Sequence, residues 1–167
     1  MSVVLLNTDI KKVNKIQTFL PYKDFLSCAE CLDYKRLGKQ RVEAMQIINA
    51  AEMRRLGIDK VYIVKEKRWR ATGWYNHPAV VTWENYIPAL KYYCNTMILE
   101  WLRRGYKNTM KLYDFKFDHT FEFPPFLGNE KLHASHRANL LRKDYKHYSQ
   151  FGWTEDPSLP YYWPDIK

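Results

Sequence analysis

Long apolar runs are missing from this 167-residue sequence. None approaches the ~20 residues that span a bilayer, so no membrane segment is expected. Cysteine is scarce too: Cys28, Cys31 and Cys94 make an odd count without a disulfide framework, and no secretory segment precedes them. That excludes a disulfide-stapled secreted scaffold and fits a reducing, cytoplasmic setting. Cys28 and Cys31 form one CxxC, but no second pair follows and Cys94 lies in an apolar helical stretch, so neither a metal nor another cofactor is expected. No internal repeat or low-complexity segment occurs. Negative charge is short as well, with 18 Asp and Glu against 27 Lys and Arg, a formal charge of +9 and a pI near 9.4. Such an imbalance points to a polyanionic partner, nucleic acid first.

Aromatic side chains are abundant, with 13 Tyr, 8 Phe and 6 Trp, and they suit base stacking beside cations as well as core packing. The 46% apolar content and the length fit one well-buried domain. Residues 1–17 read as a strand-prone, basic N-terminal extension, and 18–167 as a single helical domain. A short helix enters through Asp24 as N-cap and ends near Leu32. A second spans Asp33 to Leu56, with Gly57 as its stop. Residues 58–76 read as a basic connector with a short β-prone run. A third helix starts at Pro78 and runs to Arg104, kinked at Pro88 and stopped by Gly105. Residues 106–129, with FPPFLG, read as a surface loop, and a fourth helix runs from Lys131 to Tyr145. Short connections between helices predict an all-α domain.

Within LDYKRLGKQRVEAMQI, Leu37, Ala44, Ile48 and Ala51 form an apolar stripe at helical spacing, while Arg36, Lys39, Gln40 and Glu43 share the neighbouring face. One acid therefore sits among cations. The plain reading is an i, i+4 ion pair with Lys39, worth about 0.3–0.5 kcal/mol. The sharper reading gives the cations a phosphate backbone and turns Glu43 toward a sugar or base, since an acid on a phosphate-binding face needs a chemical reason. In LHASHRANLLRKDYKHY, His133, His136 and Arg137 share a helix side, with Arg142 and Lys143 onward. Phosphate contact, acid/base work and structural hydrogen bonding are all open to those histidines. In GWYNHP, Asn76 is placed to cap the third helix, whose amides, with Asn76 and His77, suit phosphate.

Several segments carry a resemblance: TFLPYKDFLSCAECLDYKRLGKQRVEAMQI, GWYNHPAVVTWENY, MILEWLRRGYKNT, HASHRANLLRKDYKHYSQFGW and YYWP. Together they resemble the pyrimidine-dimer DNA glycosylase family, which includes a phage repair enzyme, and particularly its bacterial relatives of undetermined substrate. The resemblance implies a compact all-α fold that flips a damaged or modified pyrimidine nucleotide and cleaves its N-glycosidic bond, with abasic-site lyase activity as a companion. It implies a monomer acting on DNA inside a bacterial or virus-infected cell. Glu43 falls where the phage enzyme carries its catalytic glutamate, and Arg36 and His136 join it as catalytic candidates. Lys39, Gln40, Arg41, Asn76, His77, His133, Arg137, Arg142, Lys143 and Tyr148 are the nucleic-acid-binding candidates, with Trp74, Tyr148 and Trp153 as wedges.

One departure from that family concerns the nucleophile. In the phage enzyme it is the N-terminal α-amine, whereas here the similarity begins after an extension. The attacking group is then the Ser2 amine folded back, a lysine such as Lys35 or Lys39, or water activated by Glu43. The alternatives to a glycosylase are a noncatalytic DNA-binding protein on the same fold and a histidine-based phosphodiesterase built on HASHR.

Overall fold

The computed structural model describes residues 16–114 and 121–164. Of the strand-prone lead-in read over 1–17, residues 1–15 lie outside them. Its last residues, Ile16 and Gln17, are buried with Thr18, Phe19 and Leu20 in an extended segment that enters the helical body.

Helix α1 (Phe25–Cys31) starts where the Asp24 carboxylate accepts the Ser27 N–H at 2.8 Å. Helix α2 (Tyr34–Arg55) starts at Asp33, which accepts the Arg36 N–H, and ends before Gly57, whose φ of 69° suits a residue without Cβ. Its stripe of Leu37, Ala44, Ile48 and Ala51 is wholly buried. Asp33 is held in turn by Tyr148, whose hydroxyl donates to the carboxylate and accepts the Asp33 N–H at 3.2 Å.

The stretch read as a connector forms an antiparallel hairpin, β1 (Lys60–Ile63) and β2 (Arg68–Ala71), pairing Lys60 with Ala71 and Ile63 with Arg68. The fold is therefore mainly helical with one hairpin, which corrects the all-α expectation in that detail. The single third helix expected over 78–104 is two. Helix α3 (Pro78–Trp83) ends in a turn closed by Tyr86 N–H to Trp83 O at 2.7 Å, and α4 (Ile87–Arg103) begins with Pro88 in its first turn. A proline without an N–H fits a new first turn at no cost, so breaking there replaces the kink. His77, not Asn76, caps α3: its Nδ1 accepts the Ala79 N–H at 3.1 Å, while the Asn76 side chain accepts from Arg54.

Helix α5 (Glu130–Lys143) stops two residues short of the expected Tyr145. Asp144 leaves helical geometry and caps the short helix α6 (Tyr145–Tyr148) through the His147 N–H. The core lies between α2 and α4, with α1, α3 and α5 around it. Gly38 lets α2 and α4 approach, since a Cβ there would sit 2.9 Å from the Trp101 ring. The expected surface loop contributes to this core as well: Phe126 meets Trp83 edge-on at 5.2 Å.

Candidate active site

Among the described residues the extended segment 16–20 has no strand partner, and side chains from the surrounding helices bond to it. Gln40 on α2 accepts the Phe19 N–H at 3.0 Å and donates to Gln17 O at 2.9 Å. The Tyr93 hydroxyl on α4 lies between Phe19 O at 2.9 Å and Gln40 Oε1 at 2.6 Å and shares its one proton between them, and Trp83 on α3 donates to Thr18 Oγ1 at 3.0 Å. Leu20 is gripped on both backbone groups: its N–H donates to His136 Nδ1 at 2.8 Å, and its carbonyl accepts from His133 Nδ1 at 2.7 Å. His133 Nε2 accepts the Gly128 N–H at 2.8 Å, which fixes its proton on Nδ1. Both HASHR histidines are thus neutral clamps on the entering chain. Burial, reinforced by His133, pulls His136 down to about 3, which leaves it unprotonated where DNA chemistry runs.

The clamped segment closes one side of a cavity of about 190 Å³ lined by Gln17, Phe19, Lys35, Arg36, Lys39, Gln40, Glu43 and Lys143. Glu43 is 5% exposed. Its Oε2 accepts from Gln40 Nε2 at 2.9 Å, and its Oε1 pairs with Lys39 Nζ at 3.2 Å. Gln40 is held in turn on its oxygen by Phe19 N–H and by the Tyr93 hydroxyl at 2.6 Å, so its amide has one orientation available. Burial pushes the Glu43 carboxyl above its ordinary value; the Lys39 charge and hydrogen bond, the Gln17 N–H and Lys143 pull the other way. Lys143 is held below the usual lysine range by burial of its amine and by Arg36, Lys39 and Arg142, with Glu43 opposing. Among the described residues Lys143 has no carboxylate within ion-pair distance, whereas Lys39 is engaged by Glu43 and Arg36 by Asp33 at 3.0 Å.

The structure brings together Arg36, Lys39, Gln40, Glu43 and Lys143 of the candidates and places the others elsewhere. Arg41 donates to Asn108 at 2.6 Å and lies 4.1 Å over the Trp101 ring, on the far side of α2. Arg137 joins Glu130, Glu155 at 2.6 Å and Pro21 O at 2.9 Å, tying α5 to the tail. Arg142 holds the tail carbonyl of Pro157 and the Asn139 side chain. Tyr148 is buried and stacks on Trp153 at 5.6 Å, so both belong to the packing that anchors α2, whereas Trp74 is 39% exposed. Ser2, the candidate amine of the extension, lies outside the described residues.

Sequence reasoning missed Gln17, Phe19 and Tyr93, which act through backbone groups or as supports and leave no spacing to read. It also missed Tyr161, whose ring meets His136 edge-on at 5.2 Å and whose buried hydroxyl faces Asn139 and Gln17. Cys28 and Cys31 are buried thiols that donate to carbonyls, and burial pushes Cys31 up to about 12. Among the described residues no three His, Cys, Asp or Glu side chains cluster as a metal would need, and no helix is long and apolar enough to cross a membrane.

The arrangement is a buried, oriented carboxylate behind a cationic mouth. It can hold an anionic backbone while setting one negative charge against a positive charge that develops inside. A family model described as pyrimidine dimer DNA glycosylase matches residues 16–114, more than half of the chain and every cavity-lining residue except Lys143. No curated protein and no solved structure matches the chain.

Proposed function

The chain belongs to the pyrimidine dimer DNA glycosylase family, and from that premise we propose that its Glu43 cavity receives a damaged or modified pyrimidine nucleotide turned out of DNA and cleaves the N-glycosidic bond. The observation that carries this reading is the burial of Glu43, hydrogen-bonded to Gln40, beneath Lys35, Arg36, Lys39 and Lys143. A cavity of about 190 Å³ has the room of roughly six waters, which suits one sugar or one base. Extrusion of a nucleotide costs a few kcal/mol of unstacking, least for a damaged pair, and phosphate contacts at the mouth offset it.

As the C1′–N bond breaks, its electron pair leaves with the base, which takes up a proton, and positive charge spreads over C1′ and the ring oxygen of the sugar. Glu43, itself buried, stabilises that charge as a fixed carboxylate, which acts more strongly there than it would in water. Attack on C1′ comes from water that passes its proton to Glu43, or from the Lys143 amine, a cavity lysine that has no carboxylate partner among the described residues and is held below the usual lysine range by burial. The amine route forms an imine and so carries abasic-site lyase activity with it; the water route stops at the abasic sugar.

The test is base release from duplexes bearing ultraviolet photoproducts or single modified pyrimidines, with borohydride present in a parallel set. The reading expects a free base or photoproduct from at least one substrate, and a trapped adduct on Lys143 if the amine attacks. Tight binding with no release from any substrate would reassign the chain to a noncatalytic DNA-binding role.

A further inference from the structure

The hairpin of β1 and β2 is not used by this chemistry, and its composition is unlike that of a packing element. From Lys60 to Ala71 it carries Lys60, Lys65, Lys67, Arg68 and Arg70 against the single acid Glu66, and all five cations are exposed. Glu66 pairs with Arg68 at 2.7 Å and Arg70 at 3.5 Å, which leaves Lys60, Lys65 and Lys67 without a carboxylate partner among the described residues. Large apolar groups are exposed beside them: Trp69 at 67%, Val64 at 77% and Tyr62 at 48%. Tyr62 and Trp69 face each other across the strands at 5.5 Å, and the strands pack chiefly on each other. A lone two-stranded ribbon with bare aromatic rings is marginal in water unless something else uses it.

Its position relative to the cavity follows from α2. Arg54 stands eleven residues after Glu43, which at about 100° per residue is three turns and about 20° more, so both lie on one face about 16 Å apart along the axis. Arg54 holds the chain that leaves the hairpin, donating to Tyr75 O at 3.1 Å and Asn76 Oδ1 at 2.9 Å. The Thr72 N–H donates to Asp59 O at 2.8 Å and closes the base of the hairpin. The hairpin is therefore rooted on the cavity side of α2.

We propose that this hairpin is a second DNA contact, seated in a groove of the duplex to one side of the nucleotide held by Glu43. Three features favour duplex nucleic acid as the occupant: the excess of cations over acid, the width of a two-stranded ribbon, which the major groove admits, and rings flanked by cations. The hairpin's root stands about 16 Å from Glu43 along α2, the length of about five base pairs, so a contact made from that root falls on DNA flanking the lesion. Lys65 and Lys67 at the tip meet phosphates, and the Tyr62–Trp69 pair lies against sugars or base edges. The proposal rests on the glycosylase reading and adds a one-sided footprint to it.

The test uses the full chain, the charge reversal Lys65→Glu with Lys67→Glu, and the charge-preserving Lys65→Arg with Lys67→Arg. Binding is measured against salt on duplexes shortened from either side of a fixed lesion. With two phosphate contacts gone, the log-log salt slope of the reversed variant should flatten by about 1.8. Shortening one flank to below about five base pairs should weaken the parent and leave the reversed variant unaffected. The arginine variant should behave as the parent. A parent that binds and releases base while the reversed variant keeps its slope and length dependence overturns the hairpin contact and leaves the glycosylase reading standing. An arginine variant as weak as the reversed one also overturns it, since charge would then not be the cause. A parent that neither binds DNA nor releases base overturns both.

Discussion

At the scale of single residues, the geometry of the cavity depends on side chains that hold its neighbours in place. Gln40 fixes Glu43, and His133 and His136 fix Leu20, so that Gln17 and Phe19 lie where they close the cavity. The two titrating groups pull stability in opposite directions. Glu43 is raised, so its ionised form costs the fold stability above the ordinary glutamate range. His136 is depressed to about 3, so its contribution is complete above the unfolded value of about 6.5 and is lost as pH falls from there toward about 3. His136→Ala should therefore cost about 1–3 kcal/mol at neutral pH by stranding the Leu20 N–H, and should remove part of the acid sensitivity of the parent. Urea unfolding at neutral and mildly acidic pH measures both, and an unchanged midpoint would contradict the clamp.

Among the elements, α2 positions most of the site, and its limits were legible because they are local: Asp33 caps it and Gly57 ends it. The polar face with Glu43 was legible from periodicity for the same reason. Of the hairpin only a short β-prone run was legible, because Val61 and Ile63 make a brief alternation and their partners Arg70 and Arg68 are set by pairing alone. Nor does sequence tell a guanidinium that reaches phosphate from one committed elsewhere; Arg41 and Arg137 were sorted only by tertiary neighbours, Trp101 and Asn108 for one, Glu130 and Glu155 for the other. Gly38 passed unremarked inside a helix, yet it sets how close α2 lies to α4. Trp101 cannot swing away, being hydrogen-bonded to Lys107 O at 2.8 Å and flanked by Tyr34, Tyr106 and Arg41. Gly38→Ala should consequently destabilise by about 1–3 kcal/mol despite the better helix propensity of alanine. A denaturation midpoint at or above the parent would show that the contact relaxes freely.

For the whole molecule, the +9 charge read from composition is distributed unevenly in function. Part of it is spent on structure, as in Arg104, which binds Glu100 and the carbonyls closing α1, while the cavity mouth and the hairpin keep cations without a carboxylate partner among the described residues. Engagement of about five to seven phosphates should give duplex binding a log-log salt slope of roughly −4 to −6, measured by titration between low and moderate salt; a slope near zero would remove the nucleic-acid reading. Binding is spread over many cations, whereas bond cleavage is assigned to one acid, so the two are separable in a single variant. The direct measurement is single-turnover base release beside DNA affinity for the parent and Glu43→Gln. The account predicts affinity equal to or tighter than the parent, because a negative charge is gone, and release slower by about a hundredfold or more. Release at the parental rate would contradict it and leave Glu43 as no more than the ion-pair partner of Lys39.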